Sequence, residues 1–245
     1  MKNSFFITGS SGFIGFSLAR HLLDKGHKVH GYDGITDYYD VDLKLNRNKI
    51  LNKYDNFSFT KGMLEDEKNL NSCVNNFKPD FIVHLAAQAG VRYSLENPKA
   101  YLSSNINGTF NVLEIAHKVN VKHLIIASSS SVYGANTNIP YKEIDKTNTQ
   151  LSIYAATKKA TESIGHSYSN LWKLPITMLR FFTVYGPWGR PDMAFFKFTK
   201  SIIEGKPIDI YNNGEMYRDF TYINDIVKGI DNLVDVPPNN KNKKI

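Results

Sequence analysis

A chain of 245 residues with 42% hydrophobic content can bury one substantial core. Its apolar runs, such as Leu124–Ala127 and Phe81–Leu85, are far shorter than the ~20 residues of a bilayer span, and Met1–Gly9 lacks a signal-peptide core, so a soluble cytoplasmic protein without a membrane partner is expected. The net charge of +7 comes from lysines scattered among asparagines, which argues against nucleic acid; the lone Cys73 excludes an intramolecular disulfide or a cysteine metal site and reads as a core helix residue.

Ser4–Thr8 reads as a strand, followed by a glycine-rich turn, a helix over Phe13–Lys25 and a second strand at Lys28–Tyr32, which together make a βαβ unit. Further strands are expected near Phe57–Thr60, Phe81–Leu85, Leu124–Ala127 and Ile176–Phe181. Helices near Glu65–Asn76, Pro98–Val119 and Ser152–Trp172 separate them. The alternation predicts an α/β fold over residues 1–182, a Rossmann-like doubly wound parallel sheet. Beyond Phe182 come a Gly-Pro-rich loop at Gly186–Pro191, a helix near Ala194–Glu204, a strand at Ile208–Tyr211 and a helix from Asn224. Residues 183–236 therefore read as an incomplete smaller C-terminal substrate region. Residues 237–245 form a basic tail, with Lys241–Lys244 as a solvated cluster.

The turn Thr8-Gly9-Ser10-Ser11-Gly12-Phe13-Ile14-Gly15 spaces three glycines between strand and helix. Gly9 permits the tight turn, Gly12 lets backbone N–H groups approach a pyrophosphate, and Gly15 lets the helix pack close to the sheet. Eighteen residues beyond Gly15, Asp33 ends the second strand, where a carboxylate can bind both ribose hydroxyls and repel a 2′-phosphate. NAD is favoured over NADP, and no nearby arginine argues otherwise. His84-Leu85-Ala86-Ala87 offers small side chains where a cofactor crosses the sheet edge.

Tyr154 and Lys158 stand four apart and share a helix face. A tyrosine keeps its proton to about pH 10, so it needs a neighbouring cation to act as a base near neutrality. The serine-rich Ala127–Gly134 segment follows the fifth strand, where its hydroxyls can face the same crevice.

These motifs, with Arg180-Phe181-Phe182-Thr183-Val184-Tyr185-Gly186-Pro187, resemble the extended short-chain dehydrogenase/reductase family. Gln88–Ser94 and Thr183–Asp192 look like the UDP-glucuronate 4-epimerase branch, including members of capsular polysaccharide biosynthesis. The resemblance implies an isomerase that uses NAD on a UDP-sugar. Phe13 and Ile14 would contact the pyrophosphate, Asp33 the adenosine ribose, and Ala86 and Ala87 the cofactor's centre. Ser129 would bond the sugar 4-oxygen, Tyr154 would accept the proton, and Lys158 would hold the nicotinamide ribose. Thr183 and Arg190 would grip the uronate carboxylate, Arg218 the diphosphate, and Arg92 would belong to the substrate side. No metal is implied.

The implied reaction oxidises C4 to a 4-keto sugar, rotates the ring and returns the hydride to its other face, converting UDP-glucuronate to UDP-galacturonate. Ser130 and Ser131 stand where sibling dehydratases and decarboxylases carry acidic residues, which leaves UDP-glucose 4-epimerase as the nearest enzymatic alternative. Two departures from the pattern bear on function. Met63 occupies a position where the family has an adenine-binding aspartate, and family members run substantially further beyond the position of Ile245. Poor activity of the isolated chain is the resulting expectation, with an NAD-binding remnant without turnover as the other-class alternative. The missing part could be separately encoded. A homodimer through the helices near Pro98–Val119 and Ser152–Trp172 is also implied.

Overall fold

The computed structural model describes residues 2–238, so the predicted basic cluster Lys241–Lys244 lies outside the described residues. Strand β1 (Ser4–Thr8) is buried from Phe5 onward, and Gly12 begins helix α1 (Phe13–Asp24). Buried Phe16, Ala19, Leu22 and Leu23 recur at helical spacing on α1 and hold it against the sheet. The chain returns through β2 (Lys28–Asp33), completing the predicted βαβ unit.

Helix α2 (Val41–Leu51) escapes a reading based on apolar periodicity. Its buried face consists of Lys44, Arg47, Asn48 and Leu51, so polar groups occupy positions where a pattern search looks for apolar ones. Asp40 starts it by accepting from the N–H groups of Asp42 and Leu43. Next come β3 (Phe57–Lys61), α3 (Glu67–Phe77), capped by Asp66, and β4 (Phe81–His84). Cys73 lies on α3, half-buried against the core.

The single helix expected near Pro98–Val119 is divided. Short α4 (Tyr93–Glu96) and α5 (Pro98–Tyr101) lead into a π-helical segment, Leu102–Gly108, before α6 (Thr109–Lys118). The widened turn carries Asn105, fully buried, whose amide bonds the backbone of Gln88 in both directions and Thr157 Oγ1 at 3.0 Å. That side chain joins the loop after β4 to the helix α7 (Ile153–Trp172), which follows β5 (His123–Ser129). Ser152 caps α7 by accepting from Ala155 N–H at 3.1 Å.

With β6 (Ile176–Phe181) the main sheet is complete: its order is β3-β2-β1-β4-β5-β6, and every pairing is parallel. This is the doubly wound arrangement expected from the alternation. Side chains alternate across the sheet: Phe5 and Ile7 enter a core with α1, and Phe6 enters a second core with α3, α6 and α7.

Beyond it, β7 (Thr183–Tyr185) pairs in parallel with β8 (Phe220–Tyr222), with α8 (Ala194–Ile203) between them in sequence. The predicted strand at Ile208–Tyr211 does not form. Residues 206–210 carry no regular structure and find no partner strand, Ile210 is exposed, and the chain enters a short helical turn at Tyr211–Gly214. Helix α9 (Ile223–Val234) then packs Val227 and Ile230 into the α1 core, while Asp231 bonds His21 and Lys25 at 3.0 and 2.7 Å.

Two histidines make the sheet sensitive to acid. His84 lies between Thr8 Oγ1 (2.7 Å) and Thr109 Oγ1 (2.9 Å), and burial first, then the Lys158 charge, pushes it down to about 3. His30, between Ser58 and Thr60, is lowered to about 4 by burial. Both stay neutral in the folded chain at pH values where the unfolded chain, titrating near 6.5, takes up protons, so stability falls as pH drops from 6.5 toward 4. For His30 the gap is worth roughly 3 kcal/mol. Thermal melts should show a steep decline over that window, before the carboxylates titrate; a flat melting temperature between pH 6.5 and 4.5 would contradict this.

Candidate active site

The glycine turn is fixed by close approaches. Gly9 has φ of +76°, its N–H bonds Tyr32 O at 2.8 Å, and a Cβ there would stand 2.7 Å from Ala86 N. At Gly15 a Cβ would stand 2.1 Å from the Gly9 carbonyl oxygen. Gly15 therefore makes room for the turn itself, not for helix-on-sheet packing as its spacing suggests, because the turn folds back over the first turn of α1.

At the end of β2 the Asp33 carboxylate accepts from Ser11 N–H at 3.0 Å and Ile35 N–H at 2.8 Å. Burial raises its pKa, and those N–H groups with the charges of Lys44 and Arg47 oppose the rise. Helix α2 brings Arg47 close to Asp33, but its guanidinium is fully buried and does not reach the cleft, so it offers nothing to a 2′-phosphate.

A cleft of about 440 Å³ runs along the carboxyl ends of β1, β2, β4 and β5, across the point where the sheet order reverses. It brings together Gly9, Gly12, Phe13, Ile14, Gly15, Asp33, Ala86, Ala87, Ser129, Tyr154, Lys158 and Arg190. Met63 lines it too, and two residues on, Glu65 presents a carboxylate whose Oε2 is buried without a hydrogen-bond partner. Ser10 Oγ in the glycine turn is likewise buried and unpartnered. A glycine cradle that a Cβ would fill, a carboxylate at the end of β2 and unpaired polar atoms fit a dinucleotide.

Arg92, Thr183 and Arg218 do not line the cleft. Arg92 is exposed at the start of α4; Thr183 sits in β7 with its N–H on Asp219 O at 3.1 Å; Arg218 is exposed and bonds the carbonyl of Tyr217.

Lys158 is buried and donates to Ala127 O at 2.9 Å, and burial lowers it to about 8. Burial raises the Tyr154 phenol, while the Ser129 hydroxyl and then the Arg190 charge pull it down. Sequence spacing nominates Lys158 as the cation acting on Tyr154; the Arg190 guanidinium, which spacing does not nominate, is a further cation that favours the phenolate. The Tyr154 ring meets Tyr101 edge-on with centroids 6.0 Å apart. Arg190 grips Asp192 through two bonds, at 3.0 and 2.5 Å, and Tyr38 donates to the same carboxylate at 3.3 Å.

Motif reading misses a group beneath these residues. Glu162 on α7 accepts from Ser128 Oγ at 2.6 Å and takes both Nε and NH2 of Arg180, at 2.9 and 3.0 Å. It stands one turn beyond Lys158 and two beyond Tyr154 on one helix face, a spacing that could have revealed it. Among the described residues no cluster of His, Cys, Asp or Glu is arranged to hold a metal, and no helix is long and apolar enough to cross a membrane.

The chain matches the NAD dependent epimerase/dehydratase family over residues 5–245. It is 54% identical over 239 residues to a probable UDP-glucuronate 4-epimerase of Rhizobium meliloti (strain 1021), covering 98% of this chain and 70% of that protein. Protein CapI of Staphylococcus aureus is 55% identical over 231 residues, covering 94% of this chain and 69% of that one. The crystal structure of UDP-glucuronic acid 4-epimerase from Bacillus cereus with UDP-glucuronic acid and NAD superposes with a TM-score of 0.87 at 34% identity, over 93% of this chain and 71% of that one. The glycine turn and the Tyr154–Lys158 pair thus sit in a fold shared with these proteins, and the chain belongs to the NAD dependent epimerase/dehydratase family.

Proposed function

We propose that this chain epimerises a UDP-sugar at C4, converting UDP-glucuronate to UDP-galacturonate with bound NAD. The observation that carries the reading is the meeting of Ser129, Tyr154, Lys158 and Arg190 on one cleft with the glycine turn. Gly9, Gly12, Phe13, Ile14, Asp33, Ala86 and Ala87 would hold NAD, which would supply a hydride acceptor for the oxidation of C4 and, once reduced, a hydride donor for the opposite face of the ring.

The protein's own part is proton transfer and positioning. Tyr154 takes the proton of the 4-hydroxyl and gives it back, Ser129 bonds the 4-oxygen, and Lys158 holds charge beneath both. Gly12, Phe13 and Ile14 present backbone to the pyrophosphate, Asp33 meets the adenosine ribose, and Ala86 and Ala87 leave room between. The 4-keto uronate is a β-keto acid that can lose carbon dioxide, so its carboxylate must be held still. A planar guanidinium at Arg190, with Thr183 nearby in sequence, suits that task. Arg218 and Arg92 are reserved for the diphosphate and the substrate side.

The reading is tested by incubating purified protein with NAD and UDP-glucuronate and following the product by NMR; appearance of the 4-epimer is the expected outcome. Specificity has its own test. Arg190→Ala should raise KM for UDP-glucuronate by about ten- to a hundredfold, the worth of a charge-assisted pair, and change KM for UDP-glucose by less than about threefold. Equal losses for both sugars would remove the carboxylate role.

The reading extends to assembly. Phe110, Leu171 and Trp172 are exposed on α6 and α7, an apolar surface suited to a homodimer, and sedimentation should give twice the chain mass. Phe196, Ile202 and Ile203 are exposed on α8, which has no buried residue, and this face suits a further polypeptide segment, in the same chain or separately supplied.

A further inference from the structure

Arg47 is 0% exposed, and no carboxylate among the described residues forms an ion pair with it. A buried cation carries a heavy desolvation penalty unless hydrogen bonds and nearby charge offset it; here the Asp33 carboxylate is near enough to feel its charge, while Arg47 Nε is buried without a hydrogen-bond partner. Its bonds run to two separate places. NH1 donates to Ser11 O at 2.8 Å and to the Tyr39 hydroxyl at 2.8 Å. NH2 donates to Trp188 O at 2.6 Å and, more weakly, to Gly189 O at 3.4 Å.

Ser11 lies in the glycine turn, and its N–H is already held by Asp33. Trp188 and Gly189 immediately precede Arg190. Their loop is held against its own preference, since Trp188 has φ of +62°, a left-handed backbone that costs energy for a residue with a side chain. The Trp188 ring meets Phe16 on α1 with centroids 5.5 Å apart, a second tie to the helix that follows the glycine turn. Arg47 itself does not line the cleft.

We infer that Arg47 is a positioning residue, a strut whose guanidinium joins the cofactor turn to the loop carrying Arg190, so that cofactor binding orders the substrate-gripping loop. The fork is what the role requires: two N–H edges reach carbonyls on opposite sides, whereas a lysine ammonium is a point donor that cannot span both. What Arg190 grips rests on the proposed function; the coupling of turn and loop does not.

Hydrogen exchange of the amides of residues 188–190, with and without NAD, tests the strut. In the unsubstituted protein NAD should slow exchange there by about tenfold or more, and in Arg47→Lys by less than about twofold, with NAD still bound by calorimetry. Arg47→Lys should also raise KM for UDP-glucuronate by about tenfold while kcat changes less than about twofold, a split that general loosening of the fold would not produce. Absence of NAD-dependent protection in the unsubstituted protein overturns the strut even if the variant fails to fold. Equal protection in Arg47→Lys also overturns it. Protection without turnover of UDP-glucuronate keeps the strut and removes the substrate reading; failure to bind NAD removes both.

Discussion

Tyr154→Phe lowers C4 epimerisation by about a thousandfold or more and leaves NAD affinity and the melting temperature close to those of the unsubstituted protein. The substitution removes one oxygen and keeps the ring that packs edge-on against Tyr101. General acid–base groups contribute roughly 10²–10⁴-fold, and here the same oxygen must take the proton and return it, so the loss falls in the upper part of that range. Among the described residues, other phenols at the cleft are engaged elsewhere: Tyr38 is tied to Asp192, Tyr39 accepts from Arg47, and Tyr101 bonds the carbonyls of Ala89 and Gly90. The Tyr101 hydroxyl directs its proton at those two carbonyls and not at the cleft's serine, so it could not take over as a base. NMR of the product gives the rate and calorimetry the cofactor affinity. A Phe variant within tenfold of the parent would remove Tyr154 as the base.

Glu162→Ala destabilises the fold by roughly 3 kcal/mol and lowers activity as well. Its carboxylate is 9% exposed and neutralises Arg180, whose side chain is 20% exposed. Removing one partner of a buried pair leaves the other charged and unpaired, worth roughly 3–5 kcal/mol, and the partial exposure of Arg180 places this case at the low end. Arg180 keeps the carbonyl of Glu143 and the face of the Tyr133 ring, which soften the loss without replacing the carboxylate. Activity falls because Ser128 loses its acceptor, and Ser128 adjoins Ser129 at the end of β5. Denaturant unfolding measures the first effect. Arg180→Met placed in the Glu162→Ala background should recover part of the stability, since the guanidinium is then gone and Lys159, the other cation on Glu162, is partly open to solvent; a loss below about 1 kcal/mol in the single variant would show the pair to be dispensable.

How much of this could be read from sequence follows from the kind of constraint at each place. The glycine turn is legible because Gly9 and Gly15 stand where any Cβ would collide with backbone, so residue type reports geometry directly. Tyr154 and Lys158 are legible because helical spacing is local. Helix α2 is hidden because its buried face is polar, and the π-helical segment because Asn105 serves a loop and a neighbouring helix instead of an apolar stripe. The contact of Arg47 with Trp188 spans 141 positions and leaves no local signature. Strands β7 and β8 are three residues each and pair only across the intervening α8 segment, too little for an alternation to register. The strand expected at Ile208–Tyr211 shows the reverse case, an apolar run without a neighbour to pair with. Charge is the least legible of all, since Arg190 favours the Tyr154 phenolate from far along the chain with no local spacing to announce it.

The central claim is that C4 itself is oxidised and then reduced within one cleft, with the hydride kept throughout. UDP-glucuronate carrying deuterium at C4, incubated with the protein and NAD in ordinary water, tests this most directly. The account predicts UDP-galacturonate that retains the deuterium at C4. Product that has exchanged that deuterium with solvent, or no product from protein that has bound both NAD and the sugar nucleotide, would contradict it.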